Sequence, residues 1–124
     1  MGKRPDRRKG SFIIYIPNPG DIILLQFNPQ TGHEQKGTRP AVVVSNKTYN
    51  TFTKIAVVCP ITNTKRDFPL HVTLDKKTKT TGVVMCEQLK ALDVQARNIR
   101  FIERMPHALF AEVLDIIQGF FENE

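Results

Sequence analysis

Short apolar runs bounded by turn residues fill most of the chain, and a different spacing takes over near its end. The runs have the length and β-branched content of strands. They predict strands at Asp21–Phe27, Ala41–Ser45, Lys54–Cys59, Leu70–Leu74 and Ile99–Glu103. Val83–Cys86 and Leu89–Leu92 are expected as one more strand with a bend. Pro19-Gly20 makes a turn, Pro40 opens a strand where its missing N–H is tolerated, and Pro60 is expected to close one. Polar loops are expected at Asn28–Thr38, Asn63–Asp67 and Lys76–Thr81. Leu109, Phe110, Val113, Leu114, Ile117, Phe120 and Phe121 recur at three- and four-residue steps, the stripe of an amphipathic helix. Pro106 suits its first turn. The expected fold is mainly β with a C-terminal α-helix packed on the sheet, the short strands bending into a small barrel.

Composition narrows the class. The chain has 124 residues, 40% hydrophobic and 24% charged, which is ordinary for one globular domain. No apolar run approaches the ~18 residues of a membrane span. Residues 1–11 read as a disordered basic tail, and residues 12–124 as a single domain. Arg7-Arg8 precedes the apolar Phe12–Ile16, but that stretch ends at Pro17, short of the ~7–15 apolar residues of an export signal. A cytoplasmic location is therefore expected. Asn46-Lys47-Thr48, a glycosylation sequon in form, is discounted for the same reason. Cys59 and Cys86 each end an apolar run and read as small buried thiols. They lack zinc spacing and the three histidines are scattered, so neither a metal nor a cofactor is expected.

Charge is uneven. The net +6 divides into +4 over residues 1–10, +6 over 11–102 and −4 over 103–124. A basic body suits a polyanion or an acidic partner, and a solubilising surface accounts for it equally well.

Three stretches carry candidate chemistry. Gly32-His33-Glu34-Gln35-Lys36-Gly37-Thr38-Arg39-Pro40 gathers His, Glu, Lys and Arg on a loop leading into a strand. A guanidinium fits a phosphate because its planar fork donates two parallel hydrogen bonds. In Pro60-Ile61-Thr62-Asn63-Thr64-Lys65-Arg66 a hydroxyl beyond an apolar run precedes two bases. Local capping by Thr62 and Asn63 explains that stretch as well. In Val83-Val84-Met85-Cys86-Glu87-Gln88-Leu89-Lys90, Glu87 and Gln88 interrupt apolar residues, as supports for a site or as bulge residues on an edge. A P-loop, a paired-carboxylate metal site and a Ser–His–Asp order are all missing.

The strings GDIILLQFNPQTGHEQKGTRPAVVVS, CPIT and TTGVVMCEQLKALD, in that order, resemble the MazF/PemK-type toxins of bacterial toxin–antitoxin systems. The resemblance spans about Ile16 to Phe121. It implies an SH3-like barrel with a C-terminal helix, a homodimer, and a sequence-selective, metal-independent endoribonuclease held in check by an antitoxin. It places catalysis on Arg39 and Thr62, with His33 and Glu34 at positions implicated in some members. Gln88 matches a polar position that helps order the site. One departure is Met85 and Glu87, where the plasmid-type branch carries a catalytic Arg and Asp. Lys90 and Asp93 look more like the chromosomal branch.

These residues suit metal-free cleavage of single-stranded RNA. Attack of a 2′-hydroxyl on the adjacent phosphorus leaves a 2′,3′-cyclic phosphate and a 5′-hydroxyl, and needs alignment, proton transfer and charge stabilisation. Arg39 stays protonated and serves the charge; His33 and Glu34 are the nearest candidates for a base. RNA contacts are expected from Gln35, Lys36, Thr38, Asn63, Lys65, Arg66, Lys79 and Gln88. The expected partners are single-stranded RNA, an acidic antitoxin and a second copy of the chain, with DNA reached only through the antitoxin complex and no membrane. Two alternatives are a CcdB-type toxin, which shares the fold but inhibits DNA gyrase through its C-terminal helix, and an RNA-binding SH3-like module without catalysis.

Overall fold

Short apolar runs build the strands of an antiparallel main sheet, and the terminal helix covers part of it. In the computed structural model, residues 3–6, 11–26, 37–64 and 70–123 are described, those of 3–6 and 11–14 by backbone alone. Two short strands, β1 (Lys3–Asp6) and β2 (Ser11–Ile14), form an antiparallel ribbon with Lys3 opposite Ile14. Of the tail expected over residues 1–11, only residues 3–6 and 11 are described, and they take part in this ribbon. Pairing with Ser11–Ile14 gives Lys3–Asp6 partners for their backbone groups, which the composition of that segment does not reveal.

The main sheet contains β3 (Asp21–Gln26), β4 (Thr38–Val43), β5 (Ile55–Thr62), β6 (His71–Thr73), β7 (Val83–Met85), β8 (Lys90–Asp93) and β9 (Arg100–Arg104). Its order is β6-β7-β5-β4-β3-β9, with β8 also on β5. The bent strand expected over residues 83–92 is thus two strands on one edge of β5. Val83 and Val84 pair with Thr62 and Ile61, and Lys90–Asp93 pair with Val58–Ile55.

β5 runs through Pro60 instead of ending there. Val44 N donates to Val57 O at 2.9 Å, which fixes the alternation of the β4–β5 ladder. Ala41↔Pro60 is then a pair that exchanges no hydrogen bonds, so the missing N–H points away from β4. On that outer side β8 pairs only as far as Val58 and β7 pairs from Ile61 on, so Pro60 falls between the two ladders.

The two faces of the sheet carry separate cores. Ile22, Val42 and Cys59 stand side by side across three strands and pack with Val84, Met105, Leu109 and Val113. Leu109 and Val113 belong to the terminal helix (His107–Gly119), whose four-residue step aims both at the sheet. Ile23, Ala41, Val43, Val58, Val94 and Ile99 fill the other core. β9 and β6 are opposite edges in strand order, yet Glu103 of β9 is hydrogen-bonded to the loop after β6. The sheet is therefore curled, as the expected barrel requires.

A helix that sequence spacing does not predict, α1 (Lys47–Thr53), precedes β5. Asn46 caps it by accepting from Tyr49 N at 2.8 Å, and Lys54 ends it in the left-handed region at φ 61° instead of starting a strand. The terminal helix is accordingly α2. Asn50 of α1 is fully buried. Its Nδ2 donates to Pro17 O at 2.9 Å and Ser45 O at 3.1 Å, and its Oδ1 accepts from Ser45 Oγ. Ser45 Oγ in turn accepts from Val57 N at 2.9 Å. A second buried polar residue, Asp21, accepts from Tyr15 Oη at 2.6 Å and Asn18 N at 2.9 Å, and pairs with Arg104 at 3.6 Å. Burial, then the bond to Asp21, pushes the Tyr15 phenol well up.

Candidate active site

Arg39 lies on β4 and is exposed; Thr62 is the last residue of β5 and half-buried. Strand register relates the two positions. The β4–β5 pairing runs from Val43↔Val58 to Ala41↔Pro60. Continued two residues along each strand, the same register would set Arg39 opposite Thr62. Both share the sheet face of Ala41, at a position where opposed side chains approach most closely. The ladder stops between these points because Pro40 has no N–H to offer Ile61.

The Thr62 hydroxyl accepts from Thr64 N at 3.2 Å, which leaves its own proton to donate. Behind Thr62 lies Gly82, at φ +114°. A Cβ there would fall 2.3 Å from Thr62 O and 3.1 Å from Asn63 Oδ1. Only glycine lets the β6–β7 connection close this tightly on the end of β5. Beside it, Thr81 Oγ1 donates to Asn63 Oδ1 at 2.9 Å.

The other candidates divide three ways. Thr38 opens β4, paired with Gln26 and adjoining Arg39. Asn63 adjoins Thr62, and Lys79 is exposed on the loop that reaches Asn63 through Thr81. Gln88 is exposed in the turn after β7, where its N–H donates to Met85 O at 3.1 Å. His33, Glu34, Gln35, Lys36, Lys65 and Arg66 lie outside the described residues.

Glu87 is neither a bulge nor a buried group. Its Oε2 lies 3.1 Å from His71 Nε2, tying the turn after β7 to β6, and Met85 pairs with His71 in register. Sequence spacing did not associate His71 with Glu87, nor Glu103 with the loop it holds. Pairs made across strands leave no local pattern.

Cys59 and Cys86 are both buried. Burial first, then each thiol's charged neighbours, pushes Cys59 up to about 12 and Cys86 up to about 11. Neither is a nucleophile at neutral pH. Among the described residues no group of His, Cys, Asp or Glu is placed to hold a metal ion. Among them, too, no helix is long and apolar enough to cross a membrane.

A family model described as PemK-like, MazF-like toxin of type II toxin–antitoxin system matches residues 18–121. Endoribonuclease PemK of Escherichia coli is 38% identical over 118 residues, covering 92% of this chain and 85% of that protein. Endoribonuclease toxin MazF of Escherichia coli K12 is 37% identical over 83 residues, covering 67% of this chain and 74% of its own. Among solved structures, the MazE–MazF crystal structure from Deinococcus radiodurans superposes with a TM-score of 0.77 at 28% identity, over 89% of this chain and 99% of that one. The mainly antiparallel sheet with its C-terminal helix is thus the fold of MazF toxins.

Proposed function

The chain belongs to the PemK-like, MazF-like toxins of type II toxin–antitoxin systems and is an endoribonuclease, and we propose that it cuts single-stranded RNA without a metal ion, with Arg39 and Thr62 at the reacting phosphate. What supports this reading is the β4–β5 register, which ends at Ala41↔Pro60 and, carried on by two residues, would oppose the exposed Arg39 to Thr62 at the end of β5.

The chemistry follows from the groups. A 2′-oxygen forms a bond to the adjacent phosphorus as the bond from phosphorus to the 5′-oxygen breaks. The products are a 2′,3′-cyclic phosphate and a 5′-hydroxyl. Negative charge grows on the non-bridging oxygens, where the Arg39 fork and the Thr62 proton donate to it. The 2′-proton passes to a base and the leaving 5′-oxygen gains one. His33 and Glu34 are the candidates for these transfers, His33 having the ordinary pKa closer to neutrality. Glu87 differs from its counterpart in the plasmid-type branch, and its contact with His71 makes it a brace here.

A single copy offers a short track, whereas a two-fold dimer doubles the basic loops and lengthens the channel for RNA. The antitoxin partner follows from the family, and a MazE–MazF complex is among the structural neighbours. An acidic antitoxin segment would lie on the basic surface that includes Arg39 and compete with RNA there, in the cytoplasm.

Incubating the chain with single-stranded RNA in excess chelator, then mapping product ends, tests the reading. Cyclic-phosphate and 5′-hydroxyl ends are expected. Intact RNA would overturn it and favour a gyrase-binding or non-catalytic role.

A further inference from the structure

The loop from Asp75 to Gly82 is held at both ends. At one end the carboxylate of Glu103, on β9, accepts three hydrogen bonds. Oε1 takes Lys79 N at 3.0 Å; Oε2 takes Thr80 N at 2.7 Å and Thr80 Oγ1 at 2.8 Å. At the other end Thr81 bonds to Asn63, and Gly82 packs on the backbone of Thr62. Within the loop, Lys77 N donates to Asp75 Oδ1 at 2.8 Å, and the buried Thr78 hydroxyl reaches Asp75 O and Thr80 O. Two of the three donors are backbone N–H groups; the Lys79 ammonium attracts the carboxylate only at longer range, beyond ion-pair distance.

A carboxylate near a polyanion site is unfavourable on charge alone. Its three donors account for its presence. Burial raises the Glu103 pKa, but the bonds from Lys79 and Thr80 outweigh that and hold it below the ordinary glutamate range, so the clamp is ionised at neutral pH. A loop ordered in advance spares the binding step the entropy of fixing it.

Resting on the proposed RNA-cleaving function, we infer that Glu103 is a positioning residue for RNA binding: it fixes the 75–82 loop so that Lys79 meets an RNA phosphate beside the Arg39–Thr62 site. Nothing in this role touches the reacting atoms. Glu103 acts through Lys79.

The test is a double-mutant cycle on the full chain carrying Thr62→Ala, which leaves the RNA uncut. The probe is a fluorescein-labelled single-stranded RNA of mixed sequence, its affinity read by anisotropy. Glu103→Gln cannot accept from both backbone N–H groups, since one end of its amide is a donor. It is expected to weaken RNA binding roughly five- to tenfold, whereas removing a negative charge would by itself tighten it. Lys79→Ala should weaken binding similarly and lower the salt slope by about one. In the Lys79→Ala background, Glu103→Gln should add less than about twofold. Tighter or unchanged binding by Glu103→Gln, or independent multiplication of the two losses, overturns the inference. If Glu103→Gln fails to fold, Thr80→Val removes one of the three donors and should give a smaller loss with the same dependence on Lys79. An independent Thr80→Val effect overturns it too. Should the chain with Thr62 intact leave RNA uncut while the cycle behaves as stated, the cleavage reading falls and the clamp stands.

Discussion

Gly82 presses on Thr62 so closely that a Cβ at residue 82 would sit 2.3 Å from the Thr62 carbonyl oxygen. The contact joins the β6–β7 connection to the end of β5, where the candidate hydroxyl stands. Gly82 also holds φ at +114°, which side chains resist. Gly82→Ala should therefore move the Thr62 backbone and strain the turn together. The expected cost is on the order of 1–3 kcal/mol in stability, read by chemical denaturation. RNA cleavage should fall more than that loss accounts for. Unchanged cleavage in a folded Gly82→Ala variant would show that Thr62 needs no support from this side.

Arg39→Ala should lower the cleavage rate by about 10²–10³, as for other donors to a developing oxyanion. The fold should persist, because Arg39 is exposed at the end of its ladder. Arg39→Lys keeps the charge but loses the two-pronged fork and should recover only part of the rate. Single-turnover rates beside thermal melts separate the two effects, and wild-type rates in Arg39→Ala would remove it from the site.

Asn50→Ala should destabilise the chain by about 1–3 kcal/mol, since Ser45 and Pro17 lose a buried partner. The network lies in α1 and the start of β5, apart from Arg39 and Thr62. Its loss should appear as a lower denaturation midpoint with cleavage retained at temperatures where the variant is folded.

The two thiols should resist alkylation in the native state. At pH 8, values of about 12 for Cys59 and about 11 for Cys86 leave roughly one thiolate in 10⁴ and one in 10³. Mass spectrometry after a short iodoacetamide pulse should find both unmodified, and both labelled once the chain is denatured. Rapid native labelling of either would show that the core opens there.

Acid should release Glu103. Its pKa is lower folded than unfolded, so its contribution is complete above the ordinary glutamate range and disappears as pH falls through the lowered value. The difference in melting temperature between wild type and Glu103→Gln should be largest near neutral pH and shrink towards pH 3. A gap that widens in acid would reverse the assigned sign.

What the sequence by itself determined was whatever depends on spacing along the chain. Continuous apolar runs predicted the strands at Asp21 and Ala41, which are buried on both faces, and alternation predicted the one at Leu70, each to within a few residues. Leu109 and Val113 announced the terminal helix by their four-residue step. The motif strings carried the family and singled out Arg39 and Thr62 as candidates. Tertiary structure alone decided the rest. α1 is too short for a periodic stripe and depends on Asn50 bonding to Pro17, 33 residues away. Pro60 stays inside a strand because its missing N–H falls where β8 has ended and β7 has just begun, an event set by other segments. Glu103 holds Lys79 and Thr80 from 24 and 23 residues away, across two edges brought together by the curl of the sheet. A hydrogen bond is satisfied by whatever the fold brings within about 3 Å, so distance along the chain neither reveals nor forbids it.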